Sequence, residues 1–138
     1  MIVNTKVRYG LRTVIELAKD TERQGVLQKE ISLNQNISVK YLDSIIAGLK
    51  ASGLVTTLSG RGSGYLLTKK PSEITVYDIY RAFESELAVV QCLILEGVCG
   101  YESQCLAKSF WSELNSAMEK TMSGSTIQDL LERRLTGI

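Results

Sequence analysis

The chain contains no histidine. That absence removes Ser-His-Asp and Cys-His catalysis, and with them every metal motif that ligates through imidazole. Proline occurs once, at Pro71, and no apolar run approaches the roughly 18–20 residues needed to span a bilayer. The opening Met1-Ile2-Val3-Asn4-Thr5-Lys6 lacks the charged-then-apolar pattern of an export signal, so the expected location is the cytoplasm. Cysteine is scarce and odd in number, three in all, which does not suit a disulfide framework. What is present is ordinary: 138 residues, 44% hydrophobic and 22% charged, enough for one compact domain, or a small domain plus an appendage, with a real core.

The net charge of +1 averages two unlike halves. Residues 1–70 hold 11 Lys/Arg against 5 Asp/Glu, whereas residues 71–138 hold 5 against 10. Pro71 stands on the boundary. A basic half joined to an acidic half predicts that one end meets a polyanion while the other has a different task. An uneven division by chance is the plain alternative.

Val7, Leu11, Val14, Ile15 and Ala18 recur at helical spacing, with Leu17 at the margin of that stripe and Lys6, Arg8, Arg12 and Glu16 off it. They predict a first helix ending near Asp20. Val26–Ile31 predicts a short second helix, and Asn34-Gln35-Asn36 a turn. Ser38 stands where an N-cap belongs, before a third helix with Tyr41, Leu42, Ile45, Ile46 and Leu49 on its apolar face and Gly53 as its stop. Leu54–Leu58 and Tyr65–Thr68 then read as strands around the glycine-rich Ser59–Gly64 turn. Three helices followed by a hairpin is the winged helix-turn-helix order, mainly α with a β-hairpin wing. That order offers the third helix to the DNA major groove.

Ser38 and Lys40, at the start of that helix, are placed for phosphate or base-edge contact. Tyr41 has two readings, a core ring or a hydroxyl on a phosphate. Asp43 has three: accepting from a cytosine amino group, excluding a wrong sequence, or a solvated helix charge. Arg61, between glycines at the wing tip, either enters the minor groove or remains a solvated turn arginine. Lys69 and Lys70 add diffuse attraction.

Past Pro71, Thr75–Asp78 and Thr126–Asp129 resemble capping boxes with Asp in place of Glu. Val76, Ile79, Tyr80 and Phe83 give the first of the two following helices a buried face. From Leu106, the residues Phe110, Trp111, Leu114, Ala117, Met118 and Met122 form an apolar helix of about 17 residues, more apolar surface than a small domain covers easily. A homodimer is the expected explanation. Between these helices, Cys92, Cys99 and Cys105 are spaced C-x6-C-x5-C, with Gly97 and Gly100 bracketing Cys99. Taken alone, Cys92 reads as a small buried hydrophobe. Three soft thiols so close together, and none elsewhere, point to an iron–sulfur cluster or zinc. A thiol-redox enzyme is disfavoured, because there is no C-x-x-C pair and no evident general base.

Four pieces together resemble the IscR/NsrR/RirA/CymR family of bacterial regulators over residues 1 to 131: Arg8-Tyr9-Gly10-Leu11-Arg12, Val39-Lys40-Tyr41-Leu42-Asp43, the Gly60–Tyr65 wing and the late cysteines. The resemblance implies a dimeric winged-helix transcription regulator, not an enzyme, that binds a double-stranded DNA operator. It implies a division into a 1–70 winged-helix domain and a 71–138 region with a C-terminal cluster loop and a long dimerisation helix. Many members hold an iron–sulfur cluster that tunes DNA binding, which makes Cys92, Cys99 and Cys105 its ligands here. In the IscR branch a histidine three residues after the last cysteine is the fourth ligand; this chain has Lys108 there. Other relatives take a carboxylate from the partner's first helix, where this chain has Arg8. The fourth position is left to Glu96, Glu102, another carboxylate, a small thiol, solvent or an exposed iron, and the missing imidazole tilts the reading from 2Fe–2S towards 4Fe–4S. The CymR branch illustrates the alternative, a cluster-free regulator answering to a small molecule or a partner protein.

Overall fold

The computed structural model describes residues 3–59, 64–95, 97, 100 and 102–136. Helix α1 spans Thr5–Ala18 and begins at Asn4, whose side chain accepts a hydrogen bond from the Val7 amide at 2.8 Å. Val7, Val14 and Ala18 are buried as the stripe requires, and Leu17 is fully inside beside them. Glu16, which the periodicity leaves outside, is buried too.

Helix α2 departs from the sequence expectation. It spans Gln28–Gln35 and ends at Asn36 in the left-handed conformation, φ 53. Asn34 and Gln35 are therefore helical, because their amides reach across to Glu16 instead of competing for their own backbone. Val26 is not helical; its amide and carbonyl exchange hydrogen bonds with Tyr65 at 3.0 and 2.9 Å. Helix α3 spans Val39–Ala51 as expected, with Ser38 accepting from the Tyr41 amide and Gly53 past its end at φ +80.

Strands β1 (Val55–Thr57) and β2 (Tyr65–Leu67) form the antiparallel wing, with Val55 opposite Leu67 and Thr57 opposite Tyr65. Gly64 has φ +87, and the Val26 carbonyl oxygen lies 2.5 Å from where a β-carbon would stand, so only glycine fits there. Arg61 and the rest of the wing tip, residues 60–63, lie outside the described residues.

Helices α4 (Val76–Phe83), α5 (Lys108–Gly124) and α6 (Ile127–Thr136) complete the fold. Both capping boxes form, Thr75 with Asp78 and Thr126 with Asp129, each pair exchanging two hydrogen bonds. The two starts also pair with each other: the Val76 amide donates to the Ser125 carbonyl and the Ile127 amide to the Ile74 carbonyl, both at 2.9 Å. Ile74, Ile79 and Ile127 join Val14, Ile31, Leu42, Ile45 and Leu49 in one core, so residues on both sides of the charge boundary pack together. Helix α5 lies against α4 outside that core, with no fully buried residue of its own.

Candidate nucleic-acid interface and cysteine segment

The start of α3 is an exposed polar edge. Ser38, Val39, Lys40 and Asp43 all face solvent, Val39 being 50% exposed. Ser38 spends its hydroxyl oxygen on the Tyr41 amide at 3.1 Å, which leaves its O–H free to donate outward. Lys40 has no hydrogen-bond or ion-pair partner among the described residues. Tyr41 is half-buried; its ring meets Tyr9 edge-on with centroids 5.5 Å apart, and the Arg12 guanidinium lies 5.2 Å from the centre of the Tyr9 ring. The core reading of the Tyr41 ring is therefore the observed one, while its hydroxyl bonds to none of the described residues.

Asp43 has a role that sequence reasoning did not weigh. Gln28 of α2 donates its amide to the Asp43 carboxylate at 2.6 Å and to the Val39 carbonyl at 3.0 Å, and accepts from the Tyr65 hydroxyl at 3.5 Å. One side chain thus ties α2, the first turn of α3 and the wing strand together. A second polar clasp holds α2 against α1. The Gln35 amide nitrogen donates to Glu16 at 2.9 Å and its amide oxygen accepts from Arg12 at 3.1 Å, while Arg12 also caps the Gln35 carbonyl. Asn34 and Lys19 donate to Glu16 as well, at 3.1 and 2.8 Å. Burial pushes the Glu16 carboxyl up, but these hydrogen bonds outweigh it and hold it below the ordinary carboxylate range. Glu16 is the sole acid of a basic helix, the one signal in the sequence that could have marked it.

The acidic half presents two of its three cysteines in the described residues. Cys92 lies in a single 3-10 turn, Gln91–Leu93, and Cys105 follows another, Glu102–Gln104; both are half-buried free thiols. Cys99 and Glu96 lie outside the described residues, as does the Glu102 side chain. Among the described residues no three Cys, Asp or Glu side chains are grouped to hold a metal. The Cys105 carbonyl accepts from the amide of Lys108, the first residue of α5. The segment leading to Cys92 is fastened to α5 by Asn115, which donates to the Leu87 carbonyl and accepts from the Val89 amide, both at 2.9 Å.

The apolar stripe of α5 divides along its length. Met118 and Met122 pack against Tyr80 and Leu87, with Asn115 on the same side. Leu106, just ahead of the helix, with Phe110 and Leu114 along its first half, is left open, 94%, 57% and 37% exposed.

Three helices, a two-stranded wing and an exposed polar edge on the third helix define a winged-helix, DNA-binding transcription regulator. The chain belongs to the Rrf2 family, whose model, described as an iron-dependent transcriptional regulator, matches residues 3–133. It is 34% identical over 131 residues to the protein rrf2 of Nitratidesulfovibrio vulgaris, covering 95% of this chain and 87% of that one. Its fold matches the structure of CymR, the global cysteine regulator of B. subtilis, with TM-score 0.78 and 32% identity over 94% of this chain and 95% of that one. The T. potens IscR structure matches with TM-score 0.78 and 29% identity, over 97% and 88%. The family's role is transcriptional regulation, which is not enzymatic. Among the described residues no helix is long and apolar enough to cross a membrane.

Proposed function

We propose that the chain is a cytoplasmic homodimer whose operator binding answers to an iron–sulfur cluster held by Cys92, Cys99 and Cys105. The basic 1–70 region reads DNA: Ser38 and Lys40 on phosphates or base edges, the Tyr41 hydroxyl and the free carboxylate oxygen of Asp43 beside them, and Arg61 in the flanking minor groove. Val39, exposed between Ser38 and Lys40, adds a methyl surface suited to thymine. The 71–138 region senses and dimerises, with Leu106, Phe110 and Leu114 meeting their counterparts.

Cys92 and Cys105 suit such a cluster, because unbridged, partly accessible thiols are soft ligands. A cluster supplies electron transfer and reactivity towards oxygen, nitric oxide and iron loss, and 4Fe–4S suits a site without imidazole better than 2Fe–2S. One observation carries the coupling. The segment ending at Cys92 leaves α4 at Phe83, and the Phe83 ring is lodged against both Gly10 of α1 and Gly48 of α3. A thiol that is held or released there pulls on a residue in contact with the reading helix. Coupling requires that the thiols bind their metal unequally in the DNA-bound and free states.

Anaerobic isolation, with absorption and Mössbauer spectra and iron and sulfide analysis, tests this reading; zinc, or no metal, refutes it. A cluster-free regulator answering to a small molecule or partner protein is then the alternative, and the likeness in fold to CymR, the global cysteine regulator of B. subtilis, supports it.

A further inference from the structure

A cavity of about 730 Å3 opens where the end of α1 meets β2, the turn at Lys69–Pro71 and α6. Its floor is apolar: Leu17 and Leu67 are buried there, and Leu131 of α6 forms a half-buried wall. Its rim is cationic. Lys19 is neutralised by Glu16 at 2.8 Å, but Arg23, Lys69 and Lys70 have no side-chain partner among the described residues. Asp20, the one carboxylate among the described rim residues, is committed elsewhere; it accepts from the Gln24 and Gly25 amides at 3.1 and 2.8 Å. Those bonds fix the turn that holds Arg23 in the left-handed conformation, φ 53, so this rim is built.

We propose that this cavity binds small amphipathic carboxylates, with an aliphatic or aryl body against Leu17, Leu67 and Leu131 and the carboxylate on Lys69 and Lys70. The volume falls within the roughly 300–1,000 Å3 of small-molecule sites. The charges match one anionic head, and the leucines need an apolar body that a duplex phosphate would not bring. The site borders the wing strand and α6 together, so its occupant touches an element of the DNA-reading unit and one of the acidic half. It is independent of the cysteine reading.

The test is a titration of the 15N-labelled full chain with sodium decanoate below its micellar concentration. The expected result is amide shifts gathered in residues 17–23, 66–70 and 128–131. Decanol should bind more weakly, and the double variant Lys69→Glu/Lys70→Glu should lose about tenfold in affinity with its melting temperature unchanged. No shifts, shifts gathered on the exposed face of α5, or equal affinity in the double variant would overturn the proposal.

Discussion

The ring of Phe83 fills the space that a β-carbon on Gly48 would occupy. The same ring stands 2.5 Å from the β-carbon position of Gly10, so one aromatic side chain closes the gap between α1, α3 and α4. Gly48→Ala gains about 1 kcal/mol of helix propensity but overpacks at a cost of about 1–3 kcal/mol. The net expected change is a loss of stability. In a Phe83→Ala background the overpacking vanishes, and Gly48→Ala should turn neutral or stabilising. A double-mutant cycle by urea unfolding measures this; equal effects in the two backgrounds would refute the interlock.

Glu16 gives a prediction in pH. Its carboxyl is held below the ordinary carboxylate range, so its stabilisation is complete above that range and is lost as pH falls through the depressed folded value. Glu16→Gln should cost about 1–2 kcal/mol near neutrality, since Lys19, Asn34 and Gln35 lose a charged acceptor. The variant should also show a flatter acid limb than the parent chain in urea midpoints measured from neutral to acid pH.

Ser38 serves the helix and, in the proposed complex, the DNA, and the two roles separate by substitution. Ser38→Ala should cost about 1 kcal/mol through the lost cap. Ser38→Asp should keep the cap and stability yet weaken DNA binding, because a carboxylate then faces phosphate. Lys40→Ala should leave stability within about 0.5 kcal/mol and lower the slope of log affinity against log salt by about one. Thermal melts paired with salt-series binding to duplex DNA check all three.

The exposed ridge of α5 gives the last prediction. Phe110→Glu combined with Leu114→Glu should convert a dimer to a monomer in sedimentation, with helix content retained, because neither residue is buried within one chain. A parent chain already monomeric at micromolar concentration would remove the dimer reading.

Much of this was legible from residue order. The Ser38 cap, the stop at Gly53, the paired wing strands and both Thr-x-x-Asp boxes are local chemistry, set by neighbours within a few positions. The polar clasps were not, since Gln28 meets Asp43 and Gln35 meets Glu16 only after α2 has packed. Periodicity assigns such residues to solvent by polarity alone, which sets Glu16 off the buried face although it is inside. For α5 the period was right, but one stripe served two purposes. Asn115, the polar residue amid Trp111, Met118 and Met122, marked the inward side.

The pairing of Thr75 with Thr126 has an evolutionary consequence. The chain departs the shared core after α4 and re-enters at α6, beside the point where α4 began. Everything between, cysteines and α5 included, is topologically an insert held at its base by two stitched helix starts. Such an insert can lengthen or shorten without rethreading the frame that holds the third helix and the wing. A lineage built this way can rework one segment while its winged helix stays as it was.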